Sequence, residues 1–235
     1  MGLKRSAGRS PLFRELYRLA FNGSELIILS ELLRGEIDFL TPVKIHILPN
    51  GIANTSLPEK NRDQFPVKLL FVSNFYSYKG VIALIDLLAE VKSTGRKFAC
   101  KIIGEEKDIT YNELQSLITN NNLTNEVQCP GSLSGNALYQ LYAYSDILIY
   151  PTQKDAMPLV ILEAMRAGMA ILANPVGAIP EMLDLTGQHY PTPQNLITLL
   201  DNPEQIIQLG ERNRKLFEKK YTLDKFQNTL LEILQ

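Results

Sequence analysis

The chain has 235 residues, of which 45% are hydrophobic and 21% charged. This is long enough to bury a substantial core, and it excludes disordered, collagen-like and coiled-coil classes. Lys plus Arg number 24 against 25 Asp plus Glu, so no whole-molecule field recommends nucleic acid as a partner. Cys100 and Cys129 are the two cysteines. They are too few for a disulfide scaffold or a zinc site, and they read as small buried hydrophobes in a reducing cytosol. No apolar run approaches the roughly 18 residues of a membrane-spanning helix. Residues 1–10 lack the apolar core of a signal peptide, and Gly2 with Ser6 fits a short acylation pattern that recurs by chance.

In chain order, residues 11–48 predict a helix (Pro11–Phe21), a strand (Glu25–Leu29), a short helix and a strand (Val43–Leu48). They read as the tail of a second α/β domain, so that 1–48 is a remnant and the Pro- and polar-containing 49–66 a linker. Asn50–Gly51 after an apolar strand suits either a tight turn of functional use or simple chain reversal. From 67 on, short apolar runs alternate with helical ones. The strands are Val67–Ser73, Phe98–Ile103, Glu126–Cys129, Asp146–Tyr150 and Ala170–Ala173, nearly all without period-2 polar alternation. Such runs suit strands covered on both faces. The helices are Gly80–Ser93, Thr110–Asn121, Gly135–Tyr144 and Met157–Gly168. Strand starts recur at the length of a βαβ unit, which predicts a doubly wound α/β domain over 67–221. Ligands of such sheets sit at the carboxyl ends of the strands, here loops 74–79, 104–109, 130–134, 151–157 and 174–178. Three helical stretches fill 193–234, and Thr222 caps the closing helix 222–235 without a full capping box.

The most informative stretch is PTQKDAMPLVILEAMRAG, 151–168. It leads from a strand end through a polar loop into a helix with Pro158 in its first turn, where proline is tolerated. That helix is apolar nearly all round, so Glu163 is a carboxylate that needs partners. Paired ribose hydroxyls would supply them, and so would an arginine or lysine. The free N–H groups at 157–160 would meet an anion at the positive end of the helix dipole. Asp155, eight residues before Glu163, faces the same opening. Lys79, in VSNFYSYKG, either reaches a phosphate as a point charge or is solvated at a helix start. No Walker motif, G-x-G-x-x-G, G-x-S-x-G, H-E-x-x-H or C-x-x-C occurs. His46 and His189 stand beside no candidate nucleophile. ATPase, dehydrogenase, serine hydrolase and zinc enzyme are accordingly demoted.

Taken in order, ILPNGI (47–52), LLFVSNFYSYKG (69–80), CKIIGEE (100–106), VQCPGSLS (127–134), LYAYSDILIYPT (141–152), DAMPLVILEAMRAG (155–168) and VGAIPEML (176–183) resemble the C-terminal half of family-4 retaining glycosyltransferases of GT-B fold. The resemblance implies transfer of a sugar from a nucleoside-diphosphate sugar to a saccharide or lipid-linked acceptor, with no bound metal and no other cofactor. It implies that Glu163 holds the ribose, that Asp155 touches the donor sugar and that Lys79 clamps the diphosphate. Pro130, Gly131 and Ser132 would form the turn beside the base. Met157, Pro158 and Leu159 would mark a helix start whose amides face the phosphates, although Pro158 has no N–H to give. Ser73 and Asn74 would occupy the strand-end loop, with Gly104 in the next.

Two departures bear on donor geometry. Ser73–Asn74 replace the usual Gly-Arg, which removes a second cationic clamp, and Asp155 replaces the usual Glu. The resemblance also implies that only part of an acceptor domain precedes the linker, as in a truncated or split chain inactive alone. The alternative is a non-catalytic subunit docking on a chain that supplies the missing domain, or an inactive fragment. It implies a cytoplasmic location, with peripheral membrane attachment as an option, in polysaccharide biosynthesis.

Overall fold

The computed structural model describes residues 4, 7, 8, 10–57, 66–184 and 189–235. Gly2, Ser6 and residues 58–65 of the expected linker lie outside the described residues. Five strands form one all-parallel sheet: β3 (Val67–Val72), β4 (Phe98–Ile103), β5 (Val127–Gly131), β6 (Ile147–Tyr150) and β7 (Ala170–Ala173), in the order β5-β4-β3-β6-β7. Every position of β6 and β7 is buried, because helices cover both faces, and this is why their sequences, ILIY and AILA, show no alternation. One side carries α2 (Val81–Ser93) and α3 (Tyr111–Asn120), with Leu84, Ile85, Leu88, Leu114 and Ile118 fully buried among Leu69, Phe71 and Ile102. The other carries α4 (Gly135–Tyr144) and α5 (Leu159–Arg166), with Tyr142, Ile161, Leu162 and Met165 packed on Leu70, Leu148 and Ile171.

The chain reverses its direction of travel across the sheet between β3 and β6, so the carboxyl ends of these two neighbours form the topological switch point. After β7 come α6 (Ile179–Leu183), α7 (Pro193–Asp201), α8 (Pro203–Lys220) and α9 (Leu223–Leu234). α6 is too short for periodicity to reveal it. α3 opens with a full capping box, Thr110 and Glu113 each satisfying the other's backbone N–H. α9 has the expected Thr222 cap and no buried residue.

β5 runs two residues beyond the expected end, through Pro130 and Gly131. It is an edge strand, where proline's missing N–H costs no ladder bond. The expected turn over 130–132 therefore begins only at Ser132. The N-terminal residues form α1 (Pro11–Phe21), β1 (Glu25–Ile28), a 3₁₀ turn (Glu31–Glu36) and β2 (Lys44–Ile47), with β1 and β2 parallel in a second, two-stranded sheet. His46 is a strand residue, bonded to Glu25 Oε2 at 2.6 Å.

Gly51 does not turn the chain. Ile52 pairs in parallel with Thr222, and a Cβ on Gly51 would stand 2.7 Å from both Phe226 Cβ and the Thr222 carbonyl oxygen. The glycine lets the segment after β2 cross the α8–α9 junction in contact with it. Arg166 secures the next residues, donating from Nη1 to Ala53 O and Thr55 Oγ1, both at 3.0 Å.

Candidate functional site

The loop after β3 and the loop after β6 meet at the switch point. In the first, a 3₁₀ turn (Ser77–Lys79) holds Lys79 over the carboxyl end of the sheet. The second is built around Thr152, fully buried, whose carbonyl accepts from Asn174 Nδ2 and whose hydroxyl donates to Lys154 O. Gln153 N donates to Tyr78 O at 2.8 Å, stitching the two loops together. Lys79 Nζ consequently lies 2.5 Å from Asp155 Oδ2 and 3.2 Å from Tyr150 Oη. The Tyr150 hydroxyl donates to the same Asp155 oxygen at 2.8 Å. Both charged side chains are only 17% exposed, so the pair is well shielded and its interaction strong. Burial, then the Asp155 charge, push the Tyr150 phenol well above its ordinary range, and it stays a donor at any physiological pH. Lys79 is thus neither free nor solvated, as the sequence alone allowed, but neutralised by Asp155.

α5 begins at Leu159, two residues later than expected, with Pro158 at the N-cap and no side-chain cap. Ile161 N donates back to Pro158 O at 3.2 Å, whereas the amides of Leu159 and Val160 have no intrahelical acceptor and carry the positive end of the dipole. Pro158 and Met157 are buried, while Leu159 is half exposed. Met157 is held from below: its carbonyl accepts from Asn50 Nδ2 at 3.1 Å.

One turn further, Glu163 is partly buried. Its Oε2 accepts from the Tyr142 hydroxyl at 2.6 Å. Among the described residues no arginine or lysine pairs with it: Arg166 on the same helix gives Nη1 to the linker and lies over the Tyr139 ring, 4.7 Å away, while its buried Nε and Nη2 have no hydrogen-bond partner. The alternative of a structural ion pair for Glu163 is therefore replaced by a buried tyrosine.

The remaining expected residues line the neighbouring strand ends. Ser73 continues the β3–β4 ladder through its N–H to Ile103 O. Asn74 is exposed, its Oδ1 accepting from Glu105 N at 3.3 Å. Gly104 is buried against the Ser73 carbonyl, where a Cβ would come within 1.9 Å. It offers a ligand no side chain and instead lets the two loops touch.

Pro130, Gly131 and Ser132 flank Tyr111, whose hydroxyl donates to Gly104 O at 2.7 Å and lies within hydrogen-bonding reach of the Ser132 backbone. Tyr111 was not singled out from the sequence, nor were Tyr142 and Tyr150. Each acts across elements distant in the chain, and tyrosines in apolar runs read as core.

The N-terminal sheet closes the other side. A cleft of about 1150 Å³ runs between Lys79, Asp155 and Gly177 on one wall and Ile28, Leu29 and Leu33 on the other. The Ser30 hydroxyl ties the N-terminal segment to α6, donating to Glu181 Oε2 at 2.5 Å. The two sheets thus share one opening, lined by the Lys79 ammonium and the Asp155 carboxylate.

An all-parallel sheet with these groups gathered at its switch point defines a doubly wound ligand-binding domain of Rossmann type. The chain belongs to the glycosyl transferases group 1 family, whose model matches residues 54–222. It is 24% identical over 212 residues to an uncharacterized glycosyltransferase of Methanocaldococcus jannaschii, covering 87% of this chain and 57% of that protein. It is 23% identical over 225 residues to the lipopolysaccharide 1,2-N-acetylglucosaminetransferase of Salmonella typhimurium, covering 86% and 59%. The chain therefore spans less than two thirds of the length of either relative. Its fold matches the crystal structure of Anabaena HepE in complex with UDP and glucose, with a TM-score of 0.78, 18% identity, and 99% of this chain and 69% of that one covered.

Proposed function

We propose that this chain is the donor-binding half of a retaining glycosyltransferase that takes its sugar from a nucleoside diphosphate. The observation that carries the reading is the convergence of Lys79, Asp155 and the amide end of α5 at the switch point, where sheets of this kind bind ligands. The diphosphate lies on the first-turn amides of α5 and on Lys79. Glu163 receives the ribose hydroxyls, and the 130–132 segment with Tyr111 and Gly104 flanks the base. Asp155 takes a hydroxyl of the donor sugar once Lys79 turns to the phosphate.

The bond from the sugar's anomeric carbon to the diphosphate oxygen breaks as the acceptor oxygen bonds to that carbon and gives its proton to the leaving diphosphate, whose gathering negative charge is stabilised by Lys79, turned from Asp155, and by the helix head. No metal or cofactor enters this reading, since these two groups carry the neutralisation. The complex of the Anabaena relative with UDP and glucose supports a nucleotide-sugar donor. The name of the Salmonella relative supports a saccharide or lipid-linked acceptor.

Residues 1–48 belong to the acceptor domain, joined through 49–66 to the donor domain at 67–221, with 222–235 as the crossing helix. The apolar residues exposed on α1, Leu12, Phe13, Leu16 and Leu19, form the face on which the rest of that domain packs, whichever chain supplies it. Water exclusion needs both walls of the cleft, and the full activity belongs to that assembly.

Titrating UDP, GDP and ADP into the chain by calorimetry tests the donor site. At least one is expected to bind at millimolar concentration or below. Glu163→Gln, which keeps the size and removes the charge that strengthens bonds to hydroxyls, is expected to weaken that nucleotide about tenfold. Failure of all three at millimolar concentration would overturn the reading.

A further inference from the structure

The geometry points to Tyr142 as the residue that sets the chain's preference for ribose, by holding the Glu163 carboxylate in place. The inference rests on the reading of Glu163 as the ribose contact. Tyr142 lies in α4, fully buried beneath α5, and takes no part in the chemistry described above. Its hydroxyl donates to Glu163 Oε2 at 2.6 Å, the short distance of a bond to a charged acceptor. Burial first, then the Glu163 charge, push this phenol well above its ordinary range. It therefore never competes with the carboxylate for a proton and acts as a fixed donor.

The remaining capacity of Glu163 is left open. Oε1 has no protein partner among the described residues, and Oε2 retains a second lone pair. Glu163 has a flexible side chain near the head of a helix whose one other charged residue, Arg166, makes no ion pair with it. Without Tyr142, no hydrogen bond among the described residues would select one orientation of its carboxylate, and ordering it would fall to the ligand. With Tyr142 the acceptor is ordered beforehand. A vicinal diol then gains two charge-assisted hydrogen bonds at little entropic cost, while a sugar without hydroxyls gains nothing. Tyr142 is a positioning residue: it touches no ligand and acts through Glu163.

The test compares a nucleoside diphosphate that binds the wild-type chain with its 2′,3′-dideoxy form, in the wild type and in Tyr142→Phe. The substitution removes one oxygen and keeps the packing. The wild type is expected to prefer the ribonucleotide. Tyr142→Phe is expected to weaken the ribonucleotide about five- to tenfold and to leave the dideoxynucleotide within about twofold, so that the preference collapses. In a Glu163→Gln background the same change should have almost no further effect. A loss shared equally by both nucleotides would mark Tyr142 as structural only and overturn the inference, as would no loss at all. If the wild type binds nucleotide but shows no ribose preference, the assignment of Glu163 falls and this inference falls with it. Absence of any wild-type binding overturns the donor-site reading itself. Should the phenylalanine variant not fold, Glu163→Gln alone must lose the ribose preference, and its retention overturns the inference.

Discussion

Replacing Lys79 with methionine is expected to weaken nucleoside diphosphate binding about 10- to 150-fold, the range of a lost hydrogen bond between two charged groups. From a wild-type affinity in the millimolar range, this takes binding out of calorimetric reach. Two effects add. The phosphate loses its cation, and Asp155, only 17% exposed, is left as an unpaired carboxylate facing the incoming anion. Tyr150 still donates to Asp155 and cannot neutralise it.

Removing the acid has the opposite sign. Asp155→Asn frees Lys79 from its 2.5 Å partner and is expected to tighten the free diphosphate roughly three- to tenfold. It should tighten a nucleotide sugar less, because the sugar loses its own contact with Asp155. The double variant Lys79→Met, Asp155→Asn removes the charge imbalance and should fold as the wild type does without recovering binding. Tighter diphosphate binding by Lys79→Met would contradict the assignment of the phosphate to this lysine.

The second large effect falls on stability. Gly104→Ala places a methyl group 1.9 Å from the Ser73 carbonyl oxygen and 2.8 Å from the Phe75 ring. Neither neighbour can yield cheaply. Ser73 is tied to the sheet through its N–H to Ile103 O, and Phe75 is fully buried with its ring edge-on to Tyr111 at 5.5 Å. Relief requires the ends of β3 and β4 to part. The expected cost is about 3 kcal/mol, the upper end of overpacking penalties, which for a chain of this size lowers the melting temperature by about 6–12 °C. Thermal unfolding followed by circular dichroism measures it. A shift below about 2 °C would mean that the two loops are not in contact at this point.

The sheet was legible because burial on both faces leaves a simple mark. ILIY and AILA have no polar position, and helices of ordinary length separate such runs. The site loops followed from the sheet, since a doubly wound order fixes which strand ends face the ligand. Lys79, Asp155 and the head of α5 could be named because they lie in or close the loops that follow β3 and β6.

What the sequence could not show is how these groups are satisfied. The partner of Glu163 is a tyrosine on α4, and the partners of Lys79 come from the next strand over and its loop. Local pattern carries no information about such pairings. Pro130 misled for a related reason: proline reads as a turn unless the strand is known to lie at an edge. Gly51 misled because close approach of two backbones and a tight turn both demand a missing side chain. The bond from Ser30 to Glu181 joins residues 151 positions apart, and only the assembled cleft reveals it.

The most direct measurement is a crystal structure of the chain grown with a saturating nucleoside diphosphate. The expected result has the diphosphate within hydrogen-bonding distance of the first-turn amides of α5 and of a Lys79 turned away from Asp155. Both ribose hydroxyls should lie on Glu163 and the base beside residues 130–132. A nucleotide seated elsewhere, with Lys79 still on Asp155 and Glu163 bonded to Tyr142 alone, would contradict it.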